Sequence, residues 1–286
     1  MSYGSYNPVY LEGLAEEALR RGDYESAARF FHYLTAHYSI MNDKLCQRRF
    51  AIKAGECYML AAEKVNDLAR AIALYLRAAR IFRDYGDTEM AHSCGLKAWE
   101  HYTTLINEEG FRWDYEGIHA LKLLGDFLTE EGDLERAARV YWDAAEKALR
   151  SGKIHLASGL YRDAGDRYMR MGNMGSASKS YLMAAEAYFR CQEYFEAAWH
   201  YCEAGFMLLC LKKPEEALEA SEKAELACYR GQIEVFLKDL SQICKLLSKG
   251  SVHDAEKIWD GLQAKFRKEY VQLVELSFEA CRLSSS

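Results

Sequence analysis

The chain has 286 residues, of which 50% are hydrophobic and 28% are charged, and its net charge is -6. This composition excludes an intrinsically disordered chain, and the acidic balance argues against nucleic-acid binding, since domains that bind nucleic acids usually carry a basic excess. The chain has only 2 prolines, whereas average usage of about 5% predicts roughly 14. Because proline breaks helices, the sequence predicts an all-α fold.

The sequence divides into fourteen predicted helices that are separated by short polar joints. Several joints are a glycine followed by an aspartate, as at Gly22-Asp23, Gly86-Asp87 and Gly132-Asp133. Glycine suits the position just past the end of a helix, and aspartate suits the N-cap of the next one. In chain order the predicted helices span residues 7–20, 23–38, 43–62, 66–84, 87–107, 112–130, 133–150, 153–170, 173–190, 193–210, 214–229, 231–248, 252–266 and 268–283.

A repeat of twenty residues runs through the central part of the chain. Counted from Gly132, small or tyrosine residues occur at Ala137, Tyr141, Ala144 and Ala145, and similar residues recur at these offsets to about residue 230. The offsets correspond to i, i+4, i+7 and i+8, which is one face of an α-helix. The small residues allow two helices to approach closely, and the tyrosine fills the space beside them. The repeat therefore predicts a tetratricopeptide-like α-solenoid of antiparallel helical hairpins.

The repeat fades near residue 230, where larger apolar residues such as Phe236, Leu240 and Trp259 replace the alanines. A stacked array needs a terminal cap. We therefore predict two domains, a twisted array of helical hairpins over residues 1–230 and a C-terminal helical bundle over residues 231–286.

The motifs that enzymes and metal sites need are absent from the sequence. There is no G-x-G, no G-x-x-x-x-G-K-[ST], no H-E-x-x-H and no C-x-x-C, and the nine cysteines are scattered along the chain. This pattern is typical of reduced, packed thiols. The sequence thus predicts a protein that is not an enzyme and that uses neither a cofactor nor a metal.

Charge is distributed in bands along the chain. Residues 44–83 carry nine basic and three acidic side chains, residues 84–135 carry three and thirteen, and residues 136–170 carry eight and four. The simplest interpretation is solvated helix faces with i,i+4 ion pairs. The functional alternative is that the basic bands bind an acidic partner. The candidate partner-binding residues are Arg48, Arg49, Arg77, Arg80, Arg83, Arg136, Arg139, Arg162, Arg167 and Arg170.

Two stretches carry a resemblance to a known family. The hairpins YRDAGDRYMRMGNMGSASKSYLMAAEAYFRCQEYFEAAWHYCEAG (161–205) and the tail CKLLSKGSVHDAEKIWDGLQAKF (244–266) resemble the soluble NSF attachment proteins, or SNAPs. Family members have similar length and about fourteen helices, arranged as a twisted sheet of hairpins followed by a C-terminal bundle.

The resemblance implies a non-enzymatic adaptor in vesicle-mediated and intracellular protein transport. In that family a concave basic face grips the acidic four-helix SNARE bundle, and the C-terminal bundle recruits and stimulates the AAA+ ATPase NSF. The family also has acidic residues after a leucine pair and leucines near its C-terminus that act on the ATPase. In this chain the residues carried over to that role are Asp254, Glu256, Asp260 and Leu283.

The start of the chain differs from the family pattern. Members have a hydrophobic loop between the first two helices that contacts membranes, whereas this chain has a short polar joint at residues 20–24. The sequence also lacks a secretory signal and any apolar run of 18 residues. We expect a cytoplasmic protein that is a monomer when free, contacts membranes at most peripherally, and binds a SNARE-like helical bundle and an AAA+ ATPase. The alternative is a generic tetratricopeptide-like scaffold that binds a peptide or a subunit of a complex.

Overall fold

The computed structural model describes residues 7–233 and 236–284. In these ranges the chain forms fourteen α-helices and a short 3-10 turn at Gln263–Lys265, and it forms no β-strand. The helices are α1 (Pro8–Arg20), α2 (Tyr24–Ile40), α3 (Lys44–Lys64), α4 (Leu68–Asp84), α5 (Thr88–Leu105), α6 (Tyr115–Glu130), α7 (Leu134–Arg150), α8 (Ile154–Arg170), α9 (Met174–Arg190), α10 (Tyr194–Cys210), α11 (Pro214–Arg230), α12 (Phe236–Ser248), α13 (Val252–Asp260) and α14 (Lys268–Ser284).

The predicted all-α, tetratricopeptide-like fold is confirmed, and the two predicted helix bounds that differ most from the structure are the end of the thirteenth helix and the start of the twelfth. The thirteenth helix ends at Asp260 rather than at residue 266, because the Leu262 N–H bonds the carbonyl of Trp259 and tightens the chain into the 3-10 turn. The twelfth helix does not include residues 231–233, because Gln232 has a φ of 51° and belongs to a turn. Residues 234 and 235 lie outside the described residues.

The joints follow the predicted chemistry of helix ends. At the end of α4, Gly86 has a φ of 83°, and the Asp87 N–H bonds the carbonyl of Phe82, as in a Schellman motif. The Asp87 side chain then accepts a hydrogen bond from the backbone N–H of Met90 and caps α5. Other N-cap side chains that accept a backbone N–H in this way are Asn7, Asp23, Asp43, Asp67, Asp114, Asp133 and Asn173.

The described chain falls into two compact units, one that ends at Glu131 and one that begins at Gly132. The first unit contains α1–α6 and the second contains α7–α14. This division lies inside the array that the repeat predicts. The domain boundary near residue 230 stays a prediction, and α12 packs against both α10 and α11 of the second unit.

In the first unit, ion pairs show that alternate helices are neighbours. Arg49 of α3 pairs with Glu12 of α1 at 3.1 Å, and Lys97 of α5 pairs with Glu63 of α3 at 2.7 Å. A second set of ion pairs connects α4 to α2 through Arg70 and Glu25, and α4 to α6 through Arg83 and Glu130. Exposed pairs of this kind each add at most about 1 kcal/mol, so they report the arrangement of the helices more than they stabilise it.

Aromatic rings packed over glycines hold neighbouring helices close together. A Cβ atom on Gly55 of α3 would lie 2.8 Å from the ring of Phe82 of α4. The same geometry recurs where the ring of Phe127 covers Gly95. Phe82 is 1% exposed. The rings fill spaces that only a glycine leaves open, which is the close approach that the small residues of the repeat predict.

In the second unit, a ladder of tyrosine–carboxylate hydrogen bonds connects successive helices. The hydroxyl of Tyr161 donates to Glu146 at 2.6 Å, and the hydroxyl of Tyr181 donates to Asp166 at 2.8 Å. Twenty residues on, Tyr201 donates to Glu186 at 2.8 Å. Burial raises the pKa of each of these tyrosines well above its usual range, and the nearby carboxylates add to the effect.

We expect the ladder to make the protein sensitive to alkaline pH. An unfolded tyrosine titrates near pH 10, so the unfolded state releases protons that the folded ladder retains, and stability falls as the pH rises above about 10. The loss is up to about 1.4 kcal/mol per pH unit for each tyrosine. Urea unfolding between about pH 8 and pH 11 measures it. The triple change Tyr161→Phe, Tyr181→Phe and Tyr201→Phe is expected to flatten the dependence. The buried cysteines titrate equally in both proteins. If the free energy of unfolding falls with pH as steeply in the triple variant as in the wild type, the ladder is not the cause of the alkaline sensitivity.

Candidate protein-interaction site

Helix α4 carries four arginines, and the structure divides them into two kinds. The two outer ones are held by carboxylates: Arg70 donates to Glu25 of α2 at 2.7 and 3.2 Å, and Arg83 pairs with Glu130 of α6. The two inner ones, Arg77 and Arg80, are exposed and make no ion pair among the described residues. The charge of the inner arginines is therefore available to a partner.

Arg77 and Arg80 line a pocket of about 290 Å³ in the first unit. They are one helical turn apart, at i and i+3, so both side chains lie on the same face of α4. The apolar surface of the pocket includes Leu76 of α4, Tyr58 of α3 and Phe127 of α6, each less than 10% exposed. The remaining lining residues are His32, Ala73, Ile81, Asp84 and Leu123. The site combines a concave apolar floor with two cations.

The electrostatics of the pocket are those of a site for an anionic group. Asp84 also lines the pocket, so two guanidinium groups face one carboxylate. Burial raises the pKa of the Tyr58 hydroxyl, and the positive charge of Arg77 acts in the opposite direction. Tyr58 is therefore a neutral hydroxyl at physiological pH.

The other predicted partner-binding arginines do not gather around this pocket. Arg83 turns toward α6, where it also lies 3.6 Å from Glu131, and Arg49 pairs with α1. Arg48 is exposed on α3 and makes no ion pair among the described residues. Arg77, Arg80 and Arg83 are spaced at i, i+3 and i+6 on α4, but only Arg77 and Arg80 make no ion pair among the described residues.

The arginines of the second unit have acidic neighbours on their own helices. Arg162 lies 2.9 Å from Asp163, and Arg139 lies 4.0 Å from Asp143. Arg136 pairs with Asp133, and Arg167 lies 3.9 Å from Asp166 with its guanidinium over the ring of Tyr141. Arg170, in the last turn of α8, is exposed and makes no ion pair in the described part of the chain. A partner-binding role for these residues stays a prediction.

The acidic residues predicted to face an ATPase lie on α13. Asp254 and Asp260 are exposed, and Asp254 pairs with Lys257 at 3.2 Å. Glu256 accepts a hydrogen bond from Arg282 of α14, which lowers the pKa of Glu256. Glu256 and Asp260 line an open pocket of about 340 Å³ together with Glu275, Glu279 and Arg282. Leu283 is 72% exposed near the end of α14.

A buried histidine of the second unit was not singled out by the sequence. His200 is 7% exposed, lies between the rings of Tyr181 and Tyr188, and bonds Glu203 at 2.8 Å. It belongs to the same packed layer as the tyrosine ladder. Its spacing of three residues from Glu203 is the only signal in the sequence, and this spacing is also common on exposed faces.

Two further features concern metal sites and membrane-spanning helices. Among the described residues, no group of three or more His, Cys, Asp or Glu side chains has the arrangement of a metal site. Within the same residues, no helix is long and apolar enough to cross a membrane.

The apolar part of the α4 pocket was also missed by the sequence analysis. Tyr58 and Phe127 come from helices α3 and α6, and each matches the pattern of an ordinary core residue. Only the packing of these helices on α4 places them below the two arginines.

The sequence model of the family described as "Soluble NSF attachment protein, SNAP" matches residues 113–209 and 148–269. No curated protein sequence matches the chain. The similar solved structures described next have TM-scores below 0.5.

Three of these structures illustrate the level of similarity. BtubC from P. vanneervenii aligns with a TM-score of 0.45 and 13% identity, over 80% of this chain and 92% of that one. Aspartyl phosphate phosphatase F from Bacillus subtilis aligns with a TM-score of 0.42 and 15% identity, over 96% and 69%. The TPR2AB domain of yeast Sti1, solved as a complex with pHSP90, aligns with a TM-score of 0.35 and 14% identity, over 86% of each chain.

The family match spans residues 113–269, which is more than half of the chain, and it includes both stretches that resemble the family. The described residues form the fourteen helices that the resemblance implies. This chain belongs to the soluble NSF attachment protein family.

Proposed function

We propose that this helical adaptor scaffold binds an acidic, SNARE-like coiled-coil bundle and recruits an AAA+ disassembly ATPase to it. The observation that carries the proposal is the match to the soluble NSF attachment protein family over more than half of the chain. The family description itself names attachment to NSF.

The first unit supports the part of the proposal that concerns the coiled coil. A four-helix bundle with an acidic surface needs exposed cations that are not already neutralised. Arg77 and Arg80 meet this condition, whereas Arg70 and Arg83 on the same helix are held by carboxylates. We propose that Arg77 and Arg80 contribute the largest share of the binding free energy, and that the other predicted arginines make weaker contacts.

The C-terminal helices support the part that concerns the ATPase. Asp254 and Asp260 are exposed on α13, and Leu283 is exposed on α14. Exposed carboxylates steer a basic partner toward a docking surface, and an exposed leucine near the end of a helix offers an apolar contact. We propose that these residues face the ATPase.

We expect an AAA+ ATPase to be retained on the immobilised chain with a non-hydrolysable ATP analogue and to be released with ATP. The measurement is a pull-down from the native lysate with each nucleotide in parallel. The variant Asp254→Lys with Asp260→Lys is expected to lose most of the retained ATPase, since it replaces attraction by repulsion at two positions.

The matched control is Glu108→Lys with Glu109→Lys, which makes the same change of net charge at two exposed residues between α5 and α6. If both variants lose the same amount of retained ATPase, retention depends on net charge alone and not on the position of the carboxylates. A partner that is retained regardless of nucleotide would favour the generic tetratricopeptide-like scaffold.

A further inference from the structure

The pocket beside Arg77 and Arg80 is too small to hold a folded segment and large enough to hold a side chain. Its volume is about 290 Å³, whereas pockets for drug-sized ligands run from about 300 to 1,000 Å³ and a cavity of about 150 Å³ holds benzene. It can therefore accept one large apolar side chain, and a whole peptide would have to lie across its mouth.

The composition of the pocket indicates what such a side chain would belong to. Tyr58, Leu76 and Phe127 form an apolar floor, and Arg77 and Arg80 lie at the rim one helical turn apart. In a partner helix, residues three or four positions apart are likewise one turn apart. Two carboxylates at this spacing can meet both arginines, while an apolar side chain one further turn along the same face of the partner helix points into the pocket.

We propose that this pocket anchors one large apolar side chain of an acidic partner helix, and that Arg77 and Arg80 hold two carboxylates that lie one turn apart on the same face of that helix. The identity of the partner as an acidic coiled coil rests on the proposed function. The anchor adds a specificity determinant to it, since it selects helices by one apolar residue as well as by charge.

The inner arginines make no ion pair among the described residues, and this is what makes such binding possible. Arg70 and Arg83 are occupied by Glu25 and Glu130, so they cannot serve a partner without breaking existing pairs. Asp84, the acidic residue among those that line the pocket, forms no ion pair with either inner arginine among the described residues. The cations therefore bind an external anion without first releasing an internal one.

The test uses two fluorescein-labelled, lactam-stapled helical peptides of about 20 residues, with two glutamates one turn apart and a central residue one turn after the second glutamate on the same face. The central residue is leucine in one peptide and alanine in the other. Fluorescence anisotropy is expected to show that the leucine peptide binds the full chain about 10- to 100-fold more tightly, the factor that full burial of a leucine gives.

The variant Ala73→Phe fills the pocket while keeping both arginines, because Ala73 is half-buried in its lining. It is expected to reduce the preference for leucine to within about twofold. Thr103→Phe adds the same ring to an exposed position of α5, which does not line the pocket, and is expected to keep the preference. Leu123→Ser, which removes part of the lining from α6, gives a second route to the same loss if Ala73→Phe does not fold.

Equal affinity for the two peptides, or no binding of either, would overturn the proposal. A leucine preference that survives both pocket variants would also overturn it. Binding of an acidic four-helix coiled coil without any leucine preference would leave the proposed function intact and reject the anchor alone. A leucine preference without nucleotide-dependent ATPase retention would support the anchor and reject the proposed ATPase role.

Discussion

Reversal of both inner arginines, Arg77→Glu with Arg80→Glu, is expected to lower the affinity for an acidic four-helix coiled coil by ~100-fold or more at about 0.1 M salt. Each change removes an attraction and adds a repulsion, and such exposed contacts are each worth up to about 1 kcal/mol. Both residues are exposed and unpaired among the described residues. The free energy of unfolding should therefore change by less than about 0.5 kcal/mol.

The control for this variant is Arg20→Glu with Arg190→Glu, which has the same net charge. Both control positions are exposed at helix ends, and neither residue lines the pocket. Calorimetric titration at several salt concentrations measures the affinity and its salt dependence. We expect the control to bind within a few-fold of the wild type and to keep its salt dependence. Full binding of Arg77→Glu with Arg80→Glu at low salt would contradict the assignment of the inner arginines.

Loss of the Phe82 ring is expected to have the largest effect on stability. Phe82→Ala should lower the free energy of unfolding by about 3–5 kcal/mol, the usual cost of removing a buried phenylalanine. The ring lies against Gly55, which has no side chain to fill the resulting cavity. Urea unfolding followed by circular dichroism measures the loss. Phe195→Ala, at a ring that is 44% exposed, is the matched control and should cost about 1 kcal/mol or less.

A compensating change tests whether the ring acts through its contact with Gly55. Gly55→Leu alone should destabilise the protein by about 1–3 kcal/mol or more, because its Cβ would overlap the Phe82 ring. Combined with Phe82→Ala, the leucine enters the vacated space, so the double variant should be more stable than the sum of the two single changes by about 1–2 kcal/mol. Strict additivity would mean that the two residues stabilise the unit independently.

The helices and their joints could be predicted from the sequence because their signals are local. A glycine followed by an aspartate marks a helix end and the next N-cap within two residues, as at Gly86-Asp87. The twenty-residue period then fixes the length of each helix. The predicted helix 252–266 is wrong beyond Asp260, where Gly261 is the C-cap of α13 and the Leu262 N–H bonds the carbonyl of Trp259. This glycine is a local signal of a helix end that the prediction did not use.

The residues of the candidate site could be predicted only in part. The spacing of Arg77, Arg80 and Arg83 indicates a shared stripe, yet Arg83 is held by Glu130, forty-seven residues away in sequence. Which arginine is neutralised depends on which helices are neighbours. The contact of Phe82 with Gly55 has the same origin, since two residues on different helices meet only through packing.

The tyrosine ladder shows that some long-range contacts can be predicted from the sequence once the repeat is known. Each tyrosine of the ladder lies fifteen residues after its carboxylate, as in the pair Glu146 and Tyr161. The interval recurs with the twenty-residue period at Asp166 and Tyr181. In a repeat protein, one contact between neighbouring helices therefore predicts its equivalents.

Reconstitution of the ternary assembly tests the central claim most directly. The purified chain, an acidic four-helix coiled coil and the AAA+ ATPase retained in the pull-down are mixed with a non-hydrolysable ATP analogue and separated by size exclusion. The account predicts one early peak that contains all three proteins and that is lost on hydrolysis of ATP. Elution of the ATPase apart from the chain and the coiled coil, with the analogue present, would contradict the claim that this chain is the adaptor between them.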